Sequence, residues 1–147
     1  MGYVLFISEQ KLKDSTAINL NVDVDILLPF VREAQKLYVE TALGSDLTQK
    51  LKDEITAGTL AGAYKTLVDE YIGDMLPGYS LYHALPYLRF KVENGNIYSK
   101  TSETGNALST SEAQEFREEV LNTASYYRER LIEYIRNNTA SFLNAGD

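Results

Sequence analysis

TLAGAYKTLVDEYIGDMLPGYSLYHALPYLRFKV, residues Thr59 to Val92, sets the architecture of this chain. Leu60, Tyr64, Leu67, Tyr71 and Met75 recur every three or four residues, and Val68 and Ile72 widen the same stripe. That is the period of one buried helical face. Pro77-Gly78 then predicts a break, because proline lacks the N–H that a helix interior needs and glycine ends helices readily. A second helix follows over residues 79–90, with Pro86 as a kink. The stretch is rich in Tyr and Leu and poor in catalytic side chains. The only histidine of the protein, His83, lies inside it, and there is no cysteine.

The residues on either side extend the helical pattern. Leu27, Phe30, Ala34, Leu37 and Thr41 form one face of a helix that Gly44 closes. Asp25 is a candidate cap, and Pro29 lies near the start. Ser45 reads as the next N-cap, with Leu47, Leu51 and Ile55 inward and Gly58 at the end. Further upstream, Tyr3 to Ile7 is either a strand or an extended segment pinned on the core. Ser8 caps a short helix over residues 9–13.

After residue 90 the pattern changes. In KVENGNIYSK, Asn94-Gly95 stands between runs of β-formers and predicts a two-residue hairpin. TSETGNALS, residues 101–109, reads as a mobile loop. Ser109 with Glu112, or Ser111 with Gln114, offers a capping box for a long last helix over residues 110–137. Its stripe runs through Ala113, Phe116, Val120, Ala124, Tyr127, Leu131, Tyr134 and Ile135. At 1.5 Å per residue it is about 40 Å long, which suits a spine or a subunit-contacting rod. The expected fold is therefore mainly α. It is a single-domain bundle of four to five helices over residues 1–147, with a small β-hairpin and loop inserted at 93–109 and a tail at 138–147.

Composition narrows the function. A chain of 147 residues with 44% hydrophobic and 24% charged residues can bury one core without staples. The absence of cysteine excludes disulfides and thiolate metal sites. The formal net charge is −7. That opposes tight binding to nucleic acid, which rewards clustered Lys and Arg. An acidic surface still lets DNA pass without adhering. No apolar run is long enough for a membrane span, and the N-terminal residues carry no basic region ahead of an apolar one.

Each candidate for chemistry has a plainer reading. His83 lies beside Tyr82, Leu85 and Leu88, which places it on a helix surface or in packing, and no nucleophile is assigned to it. Asp23-Val24-Asp25 resembles the start of a calcium loop. Counted from Asn21, however, the required glycine and glutamate positions hold Ile26 and Arg32. Asp69, Glu70 and Asp74 form a solvated helix face, because one histidine cannot supply paired Glu-x-x-His motifs. Glu112, Glu115, Glu118 and Glu119 suit the first turns of an exposed helix. No catalytic residue, metal ligand or cofactor is assigned, and no enzyme is expected. Eleven tyrosines are the one enrichment. They serve either the edge of the core or an interface.

Three ordered segments carry a family resemblance: residues 6–51 (FISEQKLKD…LTQKL), 58–88 (GTLAGAYKTL…LPYL) and 115–138 (EFREEVLNTASYYRERLIEYIRNN). Their order is distinctive: "AQ…Y", a Leu-Gly turn into a short helix, "Y-x-x-L", a Tyr-rich helix pair, and a terminal helix with "A-x-Y-Y". Together they resemble the helical head–tail connector (adaptor or ring) proteins of tailed phages, most of all those of crAss-like and Bacteroides-associated phages. The resemblance implies a structural virion protein at the neck of the portal vertex, made in the host cytoplasm. Such proteins form a ring of self copies, usually twelve, under the portal protein. The ring extends the DNA channel, without specific DNA binding, and docks the next neck or tail ring protein. No membrane is involved. The candidate interface is Asn94, Gly95, Tyr98, Tyr126, Tyr127, Tyr134, Phe142 and Leu143. The alternative is a small acidic helical regulator or inhibitor that binds a protein partner.

Overall fold

The computed structural model describes residues 3–15, 24–95 and 110–142. Residues 3–7 are extended. Ser8 caps α1 (Glu9–Asp14), its Oγ accepting from the Lys11 N–H at 3.1 Å. Three consecutive pieces make α2: α-helical Val24–Ala34, π-helical Gln35–Val39 and α-helical Glu40–Leu43. Gly44 (φ 84°) then turns the chain into α3 (Ser45–Ala57), which Gly58 ends in the left-handed region. Ser45 is thus the first helical residue; Gly44 holds the cap position, with no side-chain cap bond. The longest element is α4, again in three pieces: Gly62–Thr66, π-helical Leu67–Ile72 and Gly73–Gly95. Thr110–Asn137 forms α5, at the bounds its periodicity predicts. One turn, α6 (Thr139–Phe142), follows.

Two sequence expectations need correction. Pro77-Gly78 does not end a helix. Both residues are buried inside α4, within a stretch from Ile72 to Leu81 in which only Asp74 is exposed. An internal proline costs about 3 kcal/mol. A wide turn closes just before it, where the Gly73 N–H bonds to the Val68 carbonyl. Packing of α2 and α5 on either side of α4 supplies burial that local propensity cannot outvote. Gly78 serves the α5 contact directly: a Cβ there would lie 2.9 Å from the Ala124 Cβ. The dipeptide marks a close crossing of two helices.

The hairpin is likewise not seen, and no strand occurs among the described residues. Residues 91–95, including Asn94-Gly95, close α4 as helix. Asn and Gly also favour helix C-termini, so the signal is shared by both outcomes. The rest of the expected hairpin and loop, residues 96–109, lies outside the described residues, as does Ser109 of one capping box. Ser111, of the other, is inside α5.

The core draws on every long helix. Leu27, Val31 and Val39 of α2, Leu51 of α3, Leu67, Ile72, Met75 and Leu81 of α4, and Leu131 of α5 are all fully buried. Gln35 is buried among them and binds the extended arm. Its Oε1 accepts from the Phe6 N–H at 2.8 Å, and its Nε2 donates to the Val4 carbonyl at 2.9 Å. A side-chain amide thus stands in for a neighbouring strand, leaving those two backbone groups satisfied. Tyr3 completes the anchorage by donating to Glu40, with Lys52 Nζ 4.1 Å from its ring centre.

Candidate interaction surface

His83 lies on α4 facing α2. Its Nε2 is 2.8 Å from the Tyr38 hydroxyl, and its Nδ1 is 3.9 Å from Glu33 Oε1. Burial lowers its pKa; Glu33 opposes that shift and Arg117 adds to it. Tyr38 stacks on Tyr79 with ring centres 3.8 Å apart. Burial, followed by Tyr82 and Tyr79, raises the Tyr38 pKa. From α5, Arg117 donates to the Tyr82 carbonyl at 3.0 Å and lies over the Tyr82 ring at 3.9 Å. Arg128 donates to the Tyr38 carbonyl, also at 3.0 Å. The whole cluster joins α2, α4 and α5 through the Tyr38–His83 hydrogen bond and the two arginine-to-carbonyl bonds. This is a stitch between helices, the packed-position reading of His83.

The carboxylates predicted to be solvated are placed so. Asp69 pairs with Lys65 at 2.8 Å on an exposed turn. Glu112, Glu115, Glu118 and Glu119 are all exposed. Asp25 lies in the first turn of α2. Among the described residues, no group of three or more His, Asp or Glu is placed to hold a metal ion.

The candidate interface residues separate on burial. Tyr126 is 59% exposed on the outer face of α5. Its ring lies edge-on to Tyr127, with centres 5.7 Å apart, and the Arg130 guanidinium lies 5.9 Å from the centre of the Tyr71 ring. Tyr134 stacks on Tyr71, with centres 4.2 Å apart. Phe142 is buried, edge-on to Tyr64 at 5.4 Å and to Tyr134 at 5.9 Å. Tyr134 and Phe142 are therefore spent on their own chain. Tyr127 is half-buried beside a groove. Asn94 and Gly95 end α4, while Tyr98 and Leu143 lie outside the described residues. Sequence reasoning missed two exposed apolar residues, Leu37 (48%) and Tyr87 (47%). Leu37 falls on the predicted inward stripe of α2. The π-helical stretch begins at Gln35 and rotates the residues beyond it, so a 3.6-residue count fails there.

The groove, about 400 Å³, runs between α1, α4 and α5. Phe116, Val120 and Tyr127 make an apolar wall, and Asp14, Asp74 and Glu119 stand along it. Gly73 and Gly78 form its floor. A Cβ on Gly73 would lie 3.1 Å from Lys11 Cε, so the glycine is what admits that lysine.

Comparison with known families gives one match. Residues 39–145, well over half of the chain, fit the model of a family of unknown function, DUF6712. The chain belongs to that family. The matched span begins within the π-helical part of α2 and takes in α3, α4 and α5, so it includes two of the three walls of the groove and the exposed face bearing Tyr126. No curated protein and no solved structure matches the chain. Among the described residues, no helix is long and apolar enough to cross a membrane.

Proposed function

We propose that this protein is a structural virion component, a head–tail connector that assembles as a ring, of about twelve copies by the family resemblance, beneath the portal of a tailed phage. It acts by shape and adhesion and not as an enzyme. The ring extends the DNA channel and docks the next neck or tail protein.

The observation that carries the reading is the outer face of α5. Tyr126 stands there largely exposed, on a 28-residue helix, among the exposed carboxylates Glu115, Glu118, Glu119, Glu129 and Glu133. A rigid aromatic held outward is costly to leave wet and well suited to anchor a contact. The acidic field around it favours a protein partner over DNA. The order of the sequence segments supplies the portal as partner. A contact between two different faces of one chain closes into a ring when its rotation closes.

The test is to mix the protein with the portal protein encoded in the same genome and weigh the product by native mass spectrometry. The expected product is a portal ring carrying a matching ring of this chain. A one-to-one complex with some other protein, and no uptake by the portal, would replace this reading with that of an acidic regulator.

A further inference from the structure

Two surfaces of this chain carry opposite features. The first is the exposed ridge of α2. Leu37 projects from it at 48% exposure, with Lys36 beside it and Arg32 one turn back, both exposed. Neither cation forms an ion pair among the described residues; each lies about 5 Å from the centre of the Tyr3 ring (5.1 Å for Arg32, 5.0 Å for Lys36). The second is the groove between α1, α4 and α5. Its wall is apolar, and Asp74 and Glu119 on its rim form no ion pair among the described residues. An apolar knob flanked by cations thus faces outward on one side. An apolar groove flanked by carboxylates opens on a surface built from other elements.

We propose that the α2 ridge of one copy docks in the α1–α4–α5 groove of the next, with Leu37 against Phe116, Val120 and Tyr127, and with Arg32 and Lys36 against Asp74 and Glu119. This rests on the ring reading and deepens it by assigning the two faces. The contact is heterologous: knob and groove lie on different parts of the chain, so each copy still offers one free face after pairing, and the association propagates until it closes. Two local charges run against the pattern. Glu33, one turn before Leu37, keeps a side chain 54% exposed on the ridge, its Oε1 3.9 Å from His83, and Lys11 lies in the groove with its stem over Gly73. The partner is a second copy, because the same chain supplies both halves of the match. Desolvating an apolar anchor inside a ring of charges is also how tight, specific contacts are built.

The experiment uses the full chain, alone at high concentration and with its portal, carrying a photo-crosslinking amino acid at position 37. Inter-copy crosslinks from position 37 to residues 116–127 or 73–78 are expected. Inter-copy crosslinks that map elsewhere overturn the face assignment and leave the ring standing. No inter-copy crosslink from position 37 overturns the face assignment; a monomer in both samples by native mass spectrometry overturns the ring as well. A charge exchange gives the independent check. R32E with K36E, and separately D74K with E119K, should each weaken self-association by more than about tenfold, and mixing the two variants should restore it. Unchanged association in both variants, with native circular dichroism, would refute the pairing.

Discussion

His83 sits between a hydroxyl and a carboxylate in a half-buried position, and burial holds its pKa below the usual 6.5. The neutral ring is therefore the form that the fold prefers. Above pH 6.5 the folded and unfolded chains both carry it neutral, and its contribution is complete. As the pH falls through 6.5, the unfolded chain takes up the proton first. Stability then declines until the pH passes the depressed folded value, below which the loss is constant. Urea unfolding between pH 7.5 and 5 should show the wild-type midpoint falling with acid. In His83→Gln, which keeps a group able to hydrogen-bond to Tyr38, the fall should be shallower. Parallel curves for the two proteins would mean that His83 does not titrate across folding. Glu54 adds a further loss at more acidic pH: Thr59 and Lys50 hydrogen-bond to its carboxylate and hold its pKa down, so the stability it gives at neutral pH disappears as the pH falls through the depressed folded value.

Among the helices, the two π-helical stretches organise the packing. Each places a tyrosine on a neighbouring helix: Tyr38 on Tyr79 and Tyr71 on Tyr134. A wide turn interrupts the regular ladder of carbonyl acceptors, and at Tyr38 the carbonyl accepts from Arg128 of α5. Arg128→Met should lower stability by about 1.5–3 kcal/mol and speed amide exchange over residues 35–39. Lysine should restore only part of this, because it lacks the planar fork. The crossing of α4 and α5 makes a second test. Alanine is favoured over glycine in a helix interior by about 1 kcal/mol, yet Gly78→Ala should destabilise, because its Cβ meets that of Ala124. Adding Ala124→Gly should recover most of the loss, and additive effects in denaturant titrations would refute the contact. These elements also show what was legible in the sequence. The stripes of α3 and α5, the Gly44 and Gly58 turns and the Ser8 cap were readable, because local spacing and conformation dictate them. Continuity through Pro77-Gly78 was not, because it depends on helices packed from two sides. The exposure of Leu37 was hidden by a change of helical period, and the groove by its assembly from residues far apart in the chain. Tyr126 was named among the candidate interface residues, but spacing alone did not separate it from Tyr134, which packs on Tyr71 of its own chain.

For the molecule as a whole, the decisive contrast is between aromatics spent on the fold and aromatics left for a partner. Phe142 is 7% exposed and wedged against Tyr64 and Tyr134, closing the end of the bundle where α6 folds back on α5. Phe142→Ala should cost about 3–5 kcal/mol of stability, the range for a buried phenylalanine, with any loss of assembly following from the weakened fold. Tyr126 is the opposite case, with more than half of its surface in water. Tyr126→Ser should change the unfolding free energy by no more than about 0.5 kcal/mol, as surface substitutions do. If the outer face of α5 anchors a neighbour or the portal, the same change should reduce ring uptake by more than about tenfold, the loss of a single aromatic anchor. The two variants therefore separate along two axes, denaturant midpoint and assembled mass. A Tyr126→Ser protein that is as stable as wild type and loads onto the portal equally well would remove α5's outer face from the interface. It would leave the α2 ridge and the groove as the only proposed contacts, since neither includes the Tyr126 side chain. Salt gives the final discrimination: contacts made by the ridge and groove charges should weaken as ionic strength rises, whereas the apolar part of the Tyr126 contact should persist.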